Sequence, residues 1–148
     1  MKRKIVIGIL IIIVIGGIIA YRIYDERTPD IVNGKPDIVT DAATLIAAFN
    51  SDTASASKKY IDKVIEVTGT VKSIDTSGAI VLGEAEGESA VVCGLDRRHL
   101  RDHEQVTKGS VAVIQGKCTG YDKGEEILGV SLGTTIQLAF AGVKIKNK

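Results

Sequence analysis

An alternation of apolar and polar residues fills the stretch Ile65-Glu66-Val67-Thr68-Gly69-Thr70-Val71. A period of two is typical of a β-strand that buries one face and exposes the other. Gly69 stands in the apolar row, at a place where a bulge or a sharp bend fits. The stretch therefore predicts a curved strand with one buried face.

Two more strands follow at short intervals. The turn Asp75-Thr76-Ser77-Gly78 leads into Ala79–Leu82, and an acidic turn from Glu84 to Glu88 leads into Ala90–Leu95. Turn residues between short apolar runs are typical of strands joined by tight connections. The three strands together predict a meander.

One helix and two strands complete the order. Residues 96–105 are polar, begin with an Asp and predict a short helix. Strands are predicted over residues 111–118 and 126–130, and the alternation from Ile136 to Phe140 suggests an additional edge strand. The order strand, strand, strand, helix, strand, strand predicts a mainly β protein with a five-stranded OB-fold barrel, whose closure avoids exposed edges.

A short amphipathic helix is predicted in front of the barrel. Thr40 or Asp41 can cap its first turn, and Leu45, Phe49 and Tyr60 fall near helical spacing behind the cap. The Ser/Ala-rich stretch inside this segment predicts that the helix frays there.

The N-terminus has the features of a membrane anchor. Residues 5–20 contain only Ile, Val, Leu, Gly and Ala. Extended to Tyr24, the run reaches 20 residues, which as a helix span about 30 Å and match the hydrocarbon core of a bilayer. The basic start Met1-Lys2-Arg3-Lys4 normally stays in the cytoplasm.

We therefore predict a single-pass protein of the cell (inner, cytoplasmic) membrane that contacts the bilayer through residues 5–24 and holds its C-terminal domain outside the cytoplasm. A cleaved signal peptide is the alternative. It is disfavoured because the apolar run is long and ends without a small-x-small cleavage site.

The chain divides into four predicted parts: a transmembrane signal anchor (1–24), an exposed linker (25–39), the OB-fold domain (40–133), and a possible edge strand with a basic tail (134–148). From Asp25 onward the chain carries 15 basic and 18 acidic side chains. Such a balance gives no electrostatic footprint for a polyanion.

No catalytic, cofactor-binding or metal-binding constellation stands out, so the sequence predicts a binding protein rather than an enzyme. His99 and His103 are four residues apart and could share a helix face with Asp96. The arginines around them oppose a bound cation, which favours a solvated helix face instead. The carboxylates between Glu84 and Glu88 lack the spacing of an EF-hand loop.

Two cysteines, Cys93 and Cys118, are widely separated and form no CxxC motif. A disulfide and a pair of buried thiols both remain open. An oxidising compartment favours the bridge. The separation of the third and fourth strands in an OB meander opposes it.

Several motifs are similar to those of a known family. They are Val67–Val71 in the first strand, Val92-Cys93 in the third, and the pair Lys108–Val113 and Gly116–Gly120. With them, roughly residues 41–132 resemble the tRNA-anticodon-like (tRNA_anti-like) OB-fold family of bacterial membrane-anchored or lipoprotein-type domains. The chain departs from acylated members because no Cys follows the apolar run. The resemblance implies the fold, while the nucleic-acid binding in the family name rests on likeness of fold alone.

The predicted function is that of an extracytoplasmic binding module for an unknown envelope protein, peptide or glycan. Binding of single-stranded nucleic acid is the alternative, disfavoured because the second and third strands carry no aromatic residue on which bases could stack. A haem chaperone of the cytochrome c maturation type would need a His near the end of the domain, and none follows His103. Candidate ligand-surface residues are Tyr60, Tyr121, Arg97, Arg98 and Arg101.

Overall fold

The computed structural model describes residues 11–22, 29–124, 126–127, 130–131 and 133–144. It contains two compact units, Met1–Asp30 and Ile31–Lys148. In the first unit, residues 11–22 form a helix, α1. Residues 1–10, 23 and 24 of the predicted anchor lie outside the described residues.

Among the described residues, no helix combines the length and the apolar character that crossing a bilayer requires.

The second unit is a barrel preceded by a strand and two helices. Its elements are β1 (Ile38–Asp41), α2 (Ala42–Ser51), α3 (Thr53–Tyr60), β2 (Val64–Ile74), β3 (Ile80–Leu82), β4 (Ala90–Leu95), a 3₁₀ helix (Arg97–Gln105), β5 (Val111–Asp122), β6 (Glu126–Ile127), β7 (Val130–Ser131) and β8 (Thr135–Val143). The strands are ordered β2-β3-β4-β8-β5, and β5 pairs back onto β2 to close the barrel. β4 and β8 are parallel, and the other barrel neighbours are antiparallel. The predicted five-stranded OB barrel is confirmed.

The long strand β2 belongs to both halves of the barrel. Its first part, Val64–Thr70, pairs with β5, and its last part pairs with β3. Ile65, Val67 and Val71 are buried in the core, as their alternation predicts. The bulge lies between Val71 and Ser73 rather than at Gly69.

The strand that closes the barrel differs from the prediction. We expected residues 126–130 in this place, but Glu126–Ile127 pairs with β7 in a separate two-stranded sheet. The closing strand is β8, which lies between β4 and β5 in the segment predicted as an edge strand and tail. The domain therefore continues to Val143. Alternation identifies the buried face of a strand, but it carries no information about which strands are its neighbours.

The predicted leading helix is two helices, each with its own cap. Asp41 caps α2, because its carboxylate accepts hydrogen bonds from the Thr44 amide (2.8 Å) and hydroxyl (2.7 Å). Asp52 caps α3 in the same way, accepting from the Ser55 amide (3.1 Å). The segment therefore does not fray as predicted: α2 ends, and a second helix begins with its own N-cap.

Part of the predicted linker is packed into the domain. Val32 is buried, and β1 pairs in parallel with β2. Gln115 of β5 is fully buried, and its Nε2 donates to the carbonyl oxygens of Ile31 (2.5 Å) and Gly34 (2.9 Å). Its Oε1 has no partner among the described residues. The composition of the segment does not reveal this packing, because Gln115 lies 84 residues from Ile31 and 81 residues from Gly34 in the sequence.

Both cysteines are free and buried on neighbours of β8. Cys93 on β4 and Cys118 on β5 are each in register with Leu138. Two strand spacings separate them, about 10 Å between Cα atoms, whereas a disulfide requires about 4.4–6.8 Å. The disulfide alternative is therefore wrong. Burial raises the pKa of both thiols, that of Cys118 to about 11.

We expect two titratable thiols per chain in denatured protein that has never been reduced. In the native state both should react slowly with a maleimide, because a buried thiol with a raised pKa offers little thiolate. Mass spectrometry of protein quenched before and after unfolding measures both quantities. A mass lower by two hydrogens, with no label after unfolding, would show a disulfide between Cys93 and Cys118 and would contradict the strand order.

Candidate ligand-binding groove

A groove of about 690 Å³ lies where α2, β2 and the β3–β4 loop meet. One wall is the exposed side of α2 from Asp41 to Asn50, the floor is Thr68–Thr70 of β2, and the other wall is the loop over residues 83–89. We call it the α2 groove. Its volume falls within the range of about 300–1,000 Å³ that is typical of ligand sites.

Gly69 allows α2 to lie against β2. A Cβ atom at this position would be 2.8 Å from Ala42 Cβ and 3.3 Å from Leu82 Cβ. The missing side chain therefore lets the first turn of α2 pack directly on the strand. The sequence correctly marks Gly69 as special, but the reason is a close helix approach rather than a bulge.

Hydrogen bonds join three chain segments at the far end of the groove. The Thr134 hydroxyl donates to Asn50 Oδ1 of α2 (2.6 Å), and the Thr134 amide donates to Ser89 Oγ of the β3–β4 loop (3.0 Å). A second hollow of about 410 Å³ adjoins the groove here and includes Lys123. No sequence motif indicates these contacts, since the three residues are single polar side chains in separate segments.

Carboxylates give the α2 groove its charge. Glu84 and Glu88 are exposed on the loop, and Asp41 stands at the start of α2. Hydrogen bonds from Thr44 hold the pKa of Asp41 below its usual range, so this group stays ionised. The described lining contains no Lys, Arg or aromatic residue. Such a surface suits uncharged or cationic ligands.

The two candidate tyrosines pack on Phe49. Tyr60 is 3% exposed, with its ring centroid 6.0 Å from that of Phe49, so its prediction as a ligand-surface residue is wrong. Tyr121 is 39% exposed, and its ring centroid lies 5.0 Å from the ring centroid of Phe49. The sequence pattern does not distinguish an aromatic that covers a barrel end from one that faces solvent.

The three candidate arginines lie on the 3₁₀ helix, which follows the C-terminal end of β4. The groove loop precedes the N-terminal end of that strand. Asp96 binds Arg98 through both Nε and Nη2 at 2.9 Å and also accepts from its amide. The hydrogen bond from the Arg98 side chain lowers the pKa of Asp96 to about 2. Arg98 thus packs on the residue that caps the helix, and all three arginines are exposed.

The two histidines do not share a helix face. A 3₁₀ helix has three residues per turn, so positions i and i+4 are about 120° apart. His99 Nδ1 lies 3.1 Å from Asp102 Oδ2, and His103 contacts the Leu100 carbonyl oxygen. In the described part of the chain, no three His, Cys, Asp or Glu residues gather as a metal site would require.

The profile of the tRNA_anti-like family matches residues 1–130. The chain belongs to the tRNA_anti-like family. This tRNA_anti-like protein is also similar to the crystal structure of a lipoprotein from Klebsiella pneumoniae whose name proposes that it binds nucleic acid. The two share 18% identity with a TM-score of 0.51, over 72% of this chain and 91% of the other. At that identity the likeness shows the fold alone. No curated protein matches the chain.

Substitution of Gly69 tests how the α2 groove is built. We expect Gly69→Ala to destabilise the domain by about 1–3 kcal/mol, because the added methyl group overpacks the α2–β2 contact. Urea unfolding followed by circular dichroism measures this. The matched control is Gly120→Ala on β5, where a Cβ atom meets nothing within 4 Å. Equal stability of the two variants would contradict the close packing of α2.

Proposed function

We propose that this tRNA_anti-like chain is a membrane-anchored, extracytoplasmic binding module that holds a basic or uncharged segment of an envelope protein in the α2 groove. The observation that carries the proposal is the carboxylate-lined groove itself, with Glu84 and Glu88 on its outer wall.

The shape of the groove supports a segment of polypeptide as ligand. Its inner wall is built partly from residues with short side chains, such as Ala43 and Ala47. A ligand backbone can therefore come close to the protein. Asn50 and Thr70 supply polar groups that can exchange hydrogen bonds with that backbone.

The β3–β4 loop has internal support that makes it a defined wall. Lys72 Nζ donates to the Gly87 carbonyl oxygen, and the Gly87 amide donates to the Glu84 carbonyl oxygen at 3.2 Å. A wall fixed in this way loses less conformational entropy on binding than a mobile loop.

The support for the anchor is the sequence of residues 1–24, with its basic start and uninterrupted apolar run. The described portion of that run, α1, is helical. An envelope location also agrees with the similarity to a lipoprotein.

Binding of single-stranded nucleic acid is the second candidate, and the name of the Klebsiella lipoprotein favours it. The surface of β3 and β4 opposes it. The outward residues there are Val81 and Val92, which face each other in register. They offer no aromatic platform of the kind that contributes about 1–3 kcal/mol per base.

The anchor predicts that the full-length protein stays with the membrane pellet after alkaline washing, and that protease added to the periplasmic side digests the domain. Immunoblotting of pellet and supernatant measures the first, and protection in intact against lysed cells measures the second. A soluble form that begins near Tyr21 would show cleavage instead.

Charge selectivity tests the groove. We expect an extended fluorescent peptide with alternating lysines to bind more tightly than its glutamate counterpart. Glu88→Gln should weaken the lysine peptide by about two- to fivefold, the effect of one partly exposed ion pair. Glu104→Gln, on the 3₁₀ helix, is the charge-matched control and should leave affinity unchanged. Fluorescence anisotropy measures each.

The same titration with oligo(dT) and oligo(U) separates the two candidate functions. The proposal predicts no binding at physiological salt. Micromolar affinity with a steep salt dependence would favour the nucleic-acid alternative, since counterion release is the mark of phosphate contacts.

A further inference from the structure

The hollow that adjoins the α2 groove differs from the groove in charge, because Lys123 lines it. We call it the Lys123 hollow. We infer that it binds the free C-terminal carboxylate of the polypeptide whose preceding residues lie in the α2 groove. The inference rests on the proposed function and narrows it: the partner is recognised by its C-terminal tail, with the carboxylate beside Lys123 and basic or uncharged residues along the groove.

The α2 groove and the Lys123 hollow are continuous. Asn50 of α2 lines both of them, as do Glu88 and Ser89 of the β3–β4 loop. The hollow is completed by the backbone around Gly124, which follows β5, and around Gly133, which precedes β8. A ligand chain in the groove can therefore reach the hollow without leaving the protein surface.

Thr134 orients the hydrogen-bond donors of the hollow. It is 5% exposed, and its hydroxyl and amide donate to Asn50 Oδ1 (2.6 Å) and Ser89 Oγ (3.0 Å). Its carbonyl oxygen accepts from the Ala90 amide at 3.0 Å. Asn50 and Ser89 thus act as acceptors toward the protein. Asn50 Nδ2 and the Ser89 hydroxyl proton have no acceptor among the described residues, so both are available to a ligand.

Lys123 adds a positive charge to these two donors. Its side chain is exposed and forms no ion pair with any described residue. A carboxylate is the complementary group, because both of its oxygens accept hydrogen bonds and it carries the opposite charge. The hollow therefore has the donors of an anion site, whereas the α2 groove has the acceptors of a cation site.

Gly133 gives the groove a defined end. A Cβ atom at this position would overlap the carbonyl carbon of Glu88 and the amide nitrogen of Ser89. The segment before β8 therefore lies backbone to backbone against the β3–β4 loop. With the hydrogen bonds of Thr134, this contact ties both walls of the groove together at the place where the donors stand. A chain that ends there puts its last carboxylate among them.

The order of charges along the two cavities favours a particular tail. Asp41 and Glu84 line the groove, Glu88 lies where the groove and the hollow meet, and Lys123 lines the hollow but not the groove. Glu88 repels a carboxylate unless a cationic side chain accompanies it. We therefore expect a basic residue at or next to the C-terminus of the partner, and not an acidic one.

Two forms of one peptide test the inference with the full-length protein. The alternating-lysine peptide, labelled at its N-terminus, is prepared with a free C-terminal carboxylate and with a C-terminal amide. Fluorescence anisotropy should show that the free acid binds about three- to tenfold more tightly, the effect of an exposed charge-assisted contact. The carboxylates of the groove by themselves favour the amide, which has one more positive charge, so the expected order is specific to the hollow.

Three variants assign the preference to the hollow. Lys123→Gln should abolish it and leave the affinity of the amide unchanged. Lys58→Gln removes the same charge from an exposed position of α3 and should preserve it. Asn50→Asp keeps an acceptor for Thr134 but replaces Nδ2 by an oxygen, so it should weaken the free acid and not the amide.

A third peptide distinguishes the source of the carboxylate. It ends in glutamate with a C-terminal amide, and it should bind no more tightly than the lysine amide. If it binds as tightly as the free acid, the hollow takes a side-chain carboxylate and the inference is wrong. Equal affinity of the free acid and the amide, or a preference that survives Lys123→Gln, also overturns the inference while binding in the groove stands. Failure of both lysine peptides to bind overturns the proposed function as well.

Discussion

The pairing of β2 with β5 is the constraint on which the rest of the domain depends. Seven consecutive residue pairs, from Val64–Lys117 to Thr70–Val111, join the first barrel strand to the fourth and close the sheet. Closure brings Ile65 and Val67 into one hydrophobic core with Ile114. It also leaves the other edge of β2 available to β1, which leads into α2 and so positions one wall of the groove.

Much of this architecture follows from local sequence patterns. The alternation in β2, the turns before β3 and β4, and the cap at Asp41 are each set by nearby residues, and each prediction agrees with the structure. The exchange of residues 126–130 for β8 as the closing strand shows the limit of such patterns. Both segments are apolar enough for a strand, and the choice between them is made by pairing with β4 and β5, which are distant in sequence.

The candidate site was less accessible to sequence reasoning than the fold. Tyr60 and Tyr121 are aromatic residues of the type that can form a ligand platform, yet both pack on Phe49. Conversely, Asn50 and Thr134 lie 84 positions apart in the sequence and form a hydrogen bond at the groove, and no sequence motif indicates this contact. Sites assembled from single polar residues on separate segments depend on the tertiary structure, whereas strands and caps depend on their own neighbourhood.

The clasp that Gln115 forms on Ile31 and Gly34 has a mechanical consequence. Any pull on the chain from its N-terminal side reaches this clasp before it reaches the β1–β2 ladder. The load therefore passes directly into β5, a strand paired on both sides, and the sheet bears it as a unit. A force applied at the N-terminus is thereby kept from peeling β1 away from β2 at the wall of the groove.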